Sequence, residues 1–344
     1  MILVTGGTGL VGAHLLYALV NNTSASSAQR GEKVRAIHRK SSDLEAVKNV
    51  FSFYTNDPEP LFNKIEWMVA DITDVPSLSP AFKDIDFVYH CAAYISFNPR
   101  HFNTLKKVNV EGTANIVNFS LAQGVKKLCY ISSIATLGKS QNGLLITEET
   151  EFNPEDKNSI YSLTKHDAEM EVWRGTQEGL DAVIVHPGVI VGEGIWTTAS
   201  GGILRSASKG ITYYPTGGIG IVDVQDVVKA MILLLNSAVK NNNYVLVSTN
   251  ISYRDLLSKL AVNLNKKEPS KPISKWIMMV FSNLDWLSNK LFRTKRRLLK
   301  ATVSTLYTKS FYDASKIKKE LNFEFNNYEK TLERVSRNYL RDYN

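Results

Sequence analysis

The sequence predicts an α/β protein: a doubly wound parallel sheet with helices on both faces and a smaller C-terminal lobe. Three observations carry that prediction. Short apolar runs alternate with helix-patterned segments through the first half of the chain. A glycine-rich stretch joins the first run to the first helical pattern. Beyond Pro187-Gly188 the alternation stops, and glycines cluster at 192, 194, 201, 202, 217, 218 and 220.

Residues 1–4, 34–38, 65–69, 86–91, 127–132 and 182–186 are short apolar-rich runs, the pattern of parallel strands buried on both faces. Helical patterns lie between them near 10–20, 42–52, 102–122 and 158–177. The polar stretch Asn21 to Gly31 has almost nothing to bury and is expected to be a loop insertion. After residue 188 the glycine cluster predicts loops crossing over a site. Asp223 then caps an apolar helix through Leu235, 244–247 forms a short strand, and 252–264 and 273–300 form helices. In the last of these, Ile273, Ile277, Val280, Leu284, Leu287 and Leu291 recur at helical spacing. Trp276, Met279, Phe281, Trp286 and Phe292 widen that apolar face.

Composition narrows the function classes. The chain has 344 residues, 44% hydrophobic and 22% charged, a size at which a single core gives way to two lobes or a core with an appendage. A formal charge of +8 favours anionic ligands or surfaces in general. The basic residues are spread along the chain apart from one compact cluster, Arg293 to Arg297, so nucleic acid is not an expected partner. Two cysteines, Cys91 and Cys129, rule out a disulfide scaffold, and the six histidines show no metal-ligand spacing. The first residues enter a strand directly, and no uncharged apolar stretch reaches the roughly 18 residues that span a bilayer. The expected location is the cytoplasm, with no metal.

Thr5-Gly6-Gly7-Thr8-Gly9-Leu10-Val11-Gly12 follows the opening strand at once and leads into the first helix. A pyrophosphate can sit on a helix N-terminus only where the backbone turns tightly and no side chain blocks its approach. Strand, glycines and helix stand here in the order a dinucleotide site requires. The end of the second strand selects between cofactors: a carboxylate there binds the ribose 2′-hydroxyl of NAD(H), and an arginine accepts a 2′-phosphate. The chain reads Ile37-His38-Arg39-Lys40, with no carboxylate until Asp43. Arg39 is therefore the candidate 2′-phosphate clamp, and NADP(H) is preferred over NAD(H). Asp71-Ile72, after the third strand, is placed to bracket the adenine. Residues 1–188 thus form the expected dinucleotide-binding domain, and 189–344 mainly the substrate lobe, with later segments free to add strands to the sheet.

Tyr161 and Lys165 stand one helical turn apart on one face. A free phenol titrates near 10, and a neighbouring ammonium lowers that value, which suits general acid–base work. Spacing alone is weak support, because Tyr312-Asp313-Ala314-Ser315-Lys316 repeats it. Context separates the two. Tyr161 follows the strand ending Ile131-Ser132-Ser133, which delivers Ser133 to the sheet edge where ligands bind, whereas no such strand precedes Tyr312.

These motifs resemble the extended short-chain dehydrogenase/reductase superfamily, closest to its dihydroflavonol-reductase-like and 3β-hydroxysteroid-dehydrogenase-like branch. The matching segments, in family order, are Thr5 to Gly12, Asp71-Ile72, His90-Cys91-Ala92-Ala93, Asn109-Val110-Glu111-Gly112-Thr113, Ile131-Ser132-Ser133, Tyr161 to Lys165 and His186-Pro187-Gly188. The resemblance implies that Tyr161 donates a proton to the substrate carbonyl as hydride arrives. Lys165 would hold the nicotinamide ribose hydroxyls and tune Tyr161. Ser133, rather than Ser132, would hydrogen-bond the substrate oxygen, and Asn109 would support the site structurally. It further implies cofactor contacts at Thr5, Gly6, Gly9, Leu10, Val11, Gly12, Asp71, Ile72, Ala92 and Ala93, beside the candidate clamp Arg39, with Pro187, Gly188 and Val189 shaping the nicotinamide pocket.

Two departures bear on the reaction. Where sugar-nucleotide dehydratases carry a Thr-Asp-Glu set, this chain reads Ile134-Ala135-Thr136-Leu137-Gly138, which disfavours water elimination. Epimerases usually place Tyr-Gly at Leu137-Gly138. The expectation is an NADP(H)-dependent oxidoreductase acting on a carbonyl or alcohol of a largely apolar small molecule; the alternative is a sugar-nucleotide epimerase with tightly bound NAD. Tyr94-Ile95-Ser96-Phe97, Trp196, Ile203, Tyr213 and Tyr214 are candidate pocket residues. Segment 273–300 has three readings: packing on the substrate lobe, a lid over an apolar substrate, or a membrane-touching surface with Arg293–Arg297 at its margin. The resemblance also implies a homodimer through 102–122 and 158–177.

Overall fold

The structure, a computed structural model, describes residues 1–21, 32–140, 143–196, 199–292, 296 and 298–343. The expected insertion at 21–31, apart from Asn21, lies outside the described residues, as do Arg293, Lys295 and Arg297 of the basic cluster. Six strands occupy the expected places: β1 (Ile2–Thr5), β2 (Val34–His38), β3 (Ile65–Val69), β4 (Phe87–His90), β5 (Lys127–Ile131) and β6 (Ala182–Pro187). Six more follow: β7 (Val189–Val191), β8 (Tyr213–Tyr214), β9 (Gly218–Asp223), β10 (Asn242–Leu246), β11 (Thr249–Ser252) and β12 (Lys271–Pro272). The main sheet has seven strands in the order β10-β6-β5-β4-β1-β2-β3. Each neighbouring pair is parallel.

Alternation within each strand sends side chains to two separate cores. Ile2 and Val4 of β1 join Leu15, Leu16 and Phe51 on one face, together with the helix Val224–Asn236. Leu3 joins Phe82, Ile116, Val117 and Val172 on the other. Burial on both faces explains why the strands are almost uninterrupted apolar runs. The strand order reverses between β1 and β4, which opens a crevice at the carboxyl ends of these strands.

The structure departs from expectation in three places. The glycine-rich region is not simply loop: Gly201 and Gly202 lie in the helix Ala199–Ser208, and Gly218 and Gly220 lie in β9. Glycine is needed there for close approach, since a Cβ on Gly188 would fall 2.5 Å from the Gly220 carbonyl oxygen. The pattern at 102–122 is interrupted by a π-helical turn, Lys106–Glu111, between Phe102–Leu105 and Gly112–Ala122. Segment 273–300 is not one helix. It forms two helices, Lys275–Phe292 and Lys300–Leu306. Two pairs tie the residues between them to the first helix: Arg296 Nε donates to Asp285 Oδ2 at 3.0 Å, and the Ser282 hydroxyl donates to the Leu298 carbonyl at 2.9 Å.

β7 and β11 flank β9 in a three-stranded sheet. With the helices Tyr253–Asn263 and Tyr328–Tyr343 it encloses a separate core containing Leu204, Leu256, Leu260 and Val335. Trp196 belongs to this core. It is 6% exposed, donates to Asp342 Oδ2 at 2.8 Å and meets Tyr339 edge-on, so it packs the lobe rather than lining an open pocket.

Candidate active site

Four loops converge at the carboxyl edge of the main sheet, one each after β1, β4, β5 and β6. The first is the glycine turn. Gly6 has φ +68°, and a Cβ on it would sit 2.6 Å from the Ala92 backbone nitrogen. Gly9 donates its amide to the Gly6 carbonyl at 2.9 Å and caps the helix Leu10–Val20 without a side-chain cap. The amides of that first turn therefore face outward with no capping side chain, the arrangement that receives a phosphate. A Cβ on Gly12 would meet the Gly6 oxygen at 2.1 Å, so helix and turn touch directly. These are the features a dinucleotide cradle requires, and the residues present fit one.

Buried side chains fix the cradle from below. The hydroxyl of Thr5, at the end of β1, lies 2.7 Å from His90 Nδ1 and accepts from the Ala92 amide at 3.2 Å. His90 Nε2 lies 2.9 Å from Thr113 Oγ1. Complete burial, reinforced by the nearby Lys165 charge, drives the His90 imidazole down to about 3, so it stays neutral. Asp71 Oδ1 accepts from the Thr73 amide and hydroxyl, both at 2.9 Å, and the Ile72 carbonyl accepts from Asn115. Arg39, just past β2, is exposed.

Tyr161 and Lys165 start the helix Ile160–Gln177, whose N-cap Ser159 accepts the Ser162 amide at 3.0 Å. The Tyr161 side chain is half-buried. Burial pushes its phenol up to about 12, while a hydrogen bond with the Ser133 side chain acts in the opposite direction. The Phe97 ring stands edge-on to the Tyr161 ring, with centroids 5.6 Å apart, so the loop 94–97 covers the phenol. Asn109 pins that loop, accepting from the Tyr94 amide at 2.8 Å and donating to its carbonyl at 3.0 Å.

Lys165 is buried. Its ammonium donates to the Tyr130 hydroxyl at 2.7 Å and the Ile131 carbonyl at 2.6 Å, and lies 4.1 Å from the centre of the Tyr130 ring. Burial lowers Lys165 to about 7, against the pull of the Glu169 carboxylate. Glu169 is the residue the sequence reading missed. It is 5% exposed, and its Oε2 accepts from Ser132 at 2.5 Å while Thr136 Oγ1 lies 2.8 Å away. Its Oε1 accepts from Trp173 Nε1 at 3.3 Å and lies 3.6 Å from His186 Nε2. The missed signal was a third member of one helix face, four residues beyond Lys165. Ser132 is committed to this carboxylate, leaving Ser133 as the serine beside Tyr161.

Pro187 ends β6. Gly188 donates to the Leu246 carbonyl at 2.9 Å, and Val189 opens β7 opposite Ile221. The Tyr312 decoy is tied elsewhere. Its backbone exchanges hydrogen bonds with the Asn250 side chain, both at 2.9 Å, and Lys316 donates to Asn242 at 2.7 Å.

A cradle lies at the reversal of strand order, beside a serine, a phenol and a buried ammonium. The model of the NAD-dependent epimerase/dehydratase family matches residues 2–247. The chain belongs to that family. Its members are NAD(P)-dependent enzymes acting on hydroxyl and carbonyl groups, and the extended short-chain dehydrogenase/reductase resemblance is borne out. A putative dihydroflavonol 4-reductase of Synechocystis sp. is 28% identical over 327 residues, covering 92% of this chain and 88% of that protein. Sterol demethylase protein B of Methylococcus capsulatus is 27% identical over 323 residues, covering 93% and 92%. The UDP-glucose 4-epimerase of Thermotoga maritima, solved with UDP-glucose, superposes with a TM-score of 0.76 at 20% identity, over 100% of this chain and 99% of its own.

Proposed function

We propose that this family member is an NADP(H)-dependent reductase that reduces a carbonyl of a largely apolar small molecule, in the cytoplasm. The observation that carries the reading is the Tyr161 phenol, which faces the Ser133 side chain and is covered by the Phe97 ring. A bound nicotinamide supplies the hydride. Ser133 donates a hydrogen bond to the carbonyl oxygen as charge develops there. Tyr161, protonated throughout the neutral range because burial raises it, gives that oxygen its proton. Lys165 stabilises the phenolate left behind and holds the ribose hydroxyls. Thr5, Gly6, Gly9, Leu10, Val11 and Gly12 receive the pyrophosphate, Asp71 and Ile72 bracket the adenine, and Ala92, Ala93, Pro187, Gly188 and Val189 shape the nicotinamide pocket through backbone. The exposed loop residues Ile95 and Phe97 give the pocket mouth its apolar character. A second copy of the chain is expected to pair through Phe102–Ala122 and Ile160–Gln177.

The test is NADPH consumption with a panel of apolar ketones and aldehydes, with one NADPH oxidised per carbonyl reduced. The alternative reading, a sugar-nucleotide epimerase with tightly bound NAD, is favoured by the match to the Thermotoga maritima epimerase fold. Against it, Leu137 is buried among Ile146, Val245 and Val247 and has no polar group to offer a sugar. An epimerase would purify with its cofactor bound and interconvert UDP-hexoses with no net NADPH loss.

Arg39 lies at the carboxyl end of β2, beside the glycine turn after β1. Arg39→Ala should weaken NADPH binding about 10- to 100-fold, the worth of a charge-assisted phosphate contact, and leave NADH binding unchanged. Isothermal titration with both cofactors checks this; equal losses for both would remove the clamp.

Glu169 raises Lys165, so the two are linked in pH. The free-enzyme kcat/KM for reduction should fall as pH rises through about 7, where Lys165 loses its proton. Glu169→Gln keeps an acceptor for Ser132 but removes the negative charge. Lys165 then deprotonates more readily, and the alkaline limb should move to lower pH. An unmoved limb in this variant would show that Glu169 does not act through Lys165.

A further inference from the structure

The helix Lys275–Phe292 is amphipathic the wrong way round for a globular protein. At 3.6 residues per turn, Trp276, Ile277, Phe281, Leu284, Leu287 and Leu291 fall within an arc of roughly 140°. All six are exposed, from 40% at Ile277 to 74% at Trp276. The opposite, polar side is the one that faces the protein. There Ser282 is fully buried and bonded to the Leu298 carbonyl, and Asp285 is bonded to Arg296 and to the Leu298 amide. An apolar face of this length, about 23 Å at 1.5 Å per residue, costs free energy in water and marks a contact surface.

Charge identifies what covers it. Asp285 is the helix's one acidic residue, and it is paired with Arg296. From Trp286 to Tyr312 the sequence holds no Asp or Glu and, besides the paired Arg296, six cations: Lys290, Arg293, Lys295, Arg297, Lys300 and Lys309. A second copy of the chain would bring the same excess of basic residues against itself. An anionic lipid surface instead offers an apolar interior for the stripe and phosphates for its cationic margin. Trp276, exposed at the edge of the stripe, suits the headgroup boundary. No helix among the described residues is long and apolar enough to cross a membrane, so the helix would lie flat.

We propose that the helix Lys275–Phe292 docks this protein onto an anionic bilayer, its apolar stripe inserted and its basic flank on the headgroups. This proposal stands independently of the reaction assigned above.

The experiment is flotation of the full chain with phosphatidylcholine vesicles containing roughly one third phosphatidylglycerol, beside vesicles of phosphatidylcholine alone. The expected result is binding to the anionic vesicles at least about tenfold stronger than to the neutral ones, weakened by salt. The triple variant Trp276→Ser, Phe281→Ser, Leu284→Ser alters only exposed side chains. It should lose binding at least about tenfold, with an unchanged circular dichroism spectrum. Failure of the wild-type chain to bind either vesicle would overturn the proposal. So would equal binding to both vesicles, or full binding by the triple variant. A wild-type dimer that the triple variant abolishes, with no vesicle binding, would assign the stripe to a second copy instead.

Discussion

Replacing Tyr161 with phenylalanine should lower kcat for carbonyl reduction about 10³-fold, near the middle of the range for loss of a positioned general acid. It should leave the NADPH dissociation constant within about threefold of the wild type, because the substitution removes one oxygen and keeps the ring. The Phe97 ring still packs edge-on, and the glycine turn, Thr5 and Ala92 that build the cradle lie on other strands. Folding should be almost unaffected. The phenol is raised to about 12 by burial, so removing it deletes a group that carries no charge near neutrality. The split between turnover and affinity is what distinguishes a proton donor from a packing residue. Stopped-flow NADPH oxidation and equilibrium titration on the same preparation measure both. Wild-type turnover in this variant would end the assignment. Equal losses in kcat and affinity would mean that the ring, and not the hydroxyl, matters.

The main sheet was legible in the sequence because parallel strands covered on both faces must be apolar at consecutive positions. Ile2, Leu3 and Val4 feed two different cores and leave no polar interruption. The cradle was legible for a related reason. A turn that closes on Ala92 and a helix that touches Gly6 admit only glycine, and the constraint is written in the composition of Gly6 to Gly12. The second half carries weaker local signals. β8 and β12 have two residues each, and β9 contains Gly218 and Gly220, so neither length nor β-propensity announces them. Asp285 and Ser282 bond to Arg296 and Leu298, contacts between residues that a single straight helix would hold far apart. Lysine and arginine are good helix formers, so nothing local in the sequence separates Lys275–Phe292 from Lys300–Leu306. Glu169 was missed because an acid four residues from a lysine ordinarily reads as an exposed ion pair. Only the packed structure shows it buried under β5 and β6, holding Ser132, Thr136 and Trp173.

Gly12→Ala should abolish dinucleotide binding and destabilise the fold together. The added Cβ would lie 2.1 Å from the Gly6 carbonyl oxygen and 2.8 Å from its carbon, both backbone atoms that cannot rotate away. Relief requires the helix Leu10–Val20 to withdraw from the turn. That helix is buried along almost its whole length, with Leu15 and Leu16 in the core beneath β1, so withdrawal disturbs packing as well. The cost should be about 3 kcal/mol, at the upper end for overpacking. The same displacement carries the outward-facing amides of Leu10 and Val11 off the Gly6–Gly9 turn, so NADPH affinity should fall at least about 100-fold, equivalent to roughly 2.8 kcal/mol. Gly202→Ala is the matched control. Gly202 lies in the helix Ala199–Ser208 with nothing within 4 Å of an added Cβ, so alanine there should stabilise by about 0.5–1 kcal/mol and leave affinity untouched. Thermal unfolding with and without NADPH reads both effects for both variants. A Gly12→Ala protein that retains the full NADPH-induced rise in Tm would place the cofactor away from this turn. Loss of that rise in Gly202→Ala would show that the response depends on the whole molecule rather than on contact at residues 6–12.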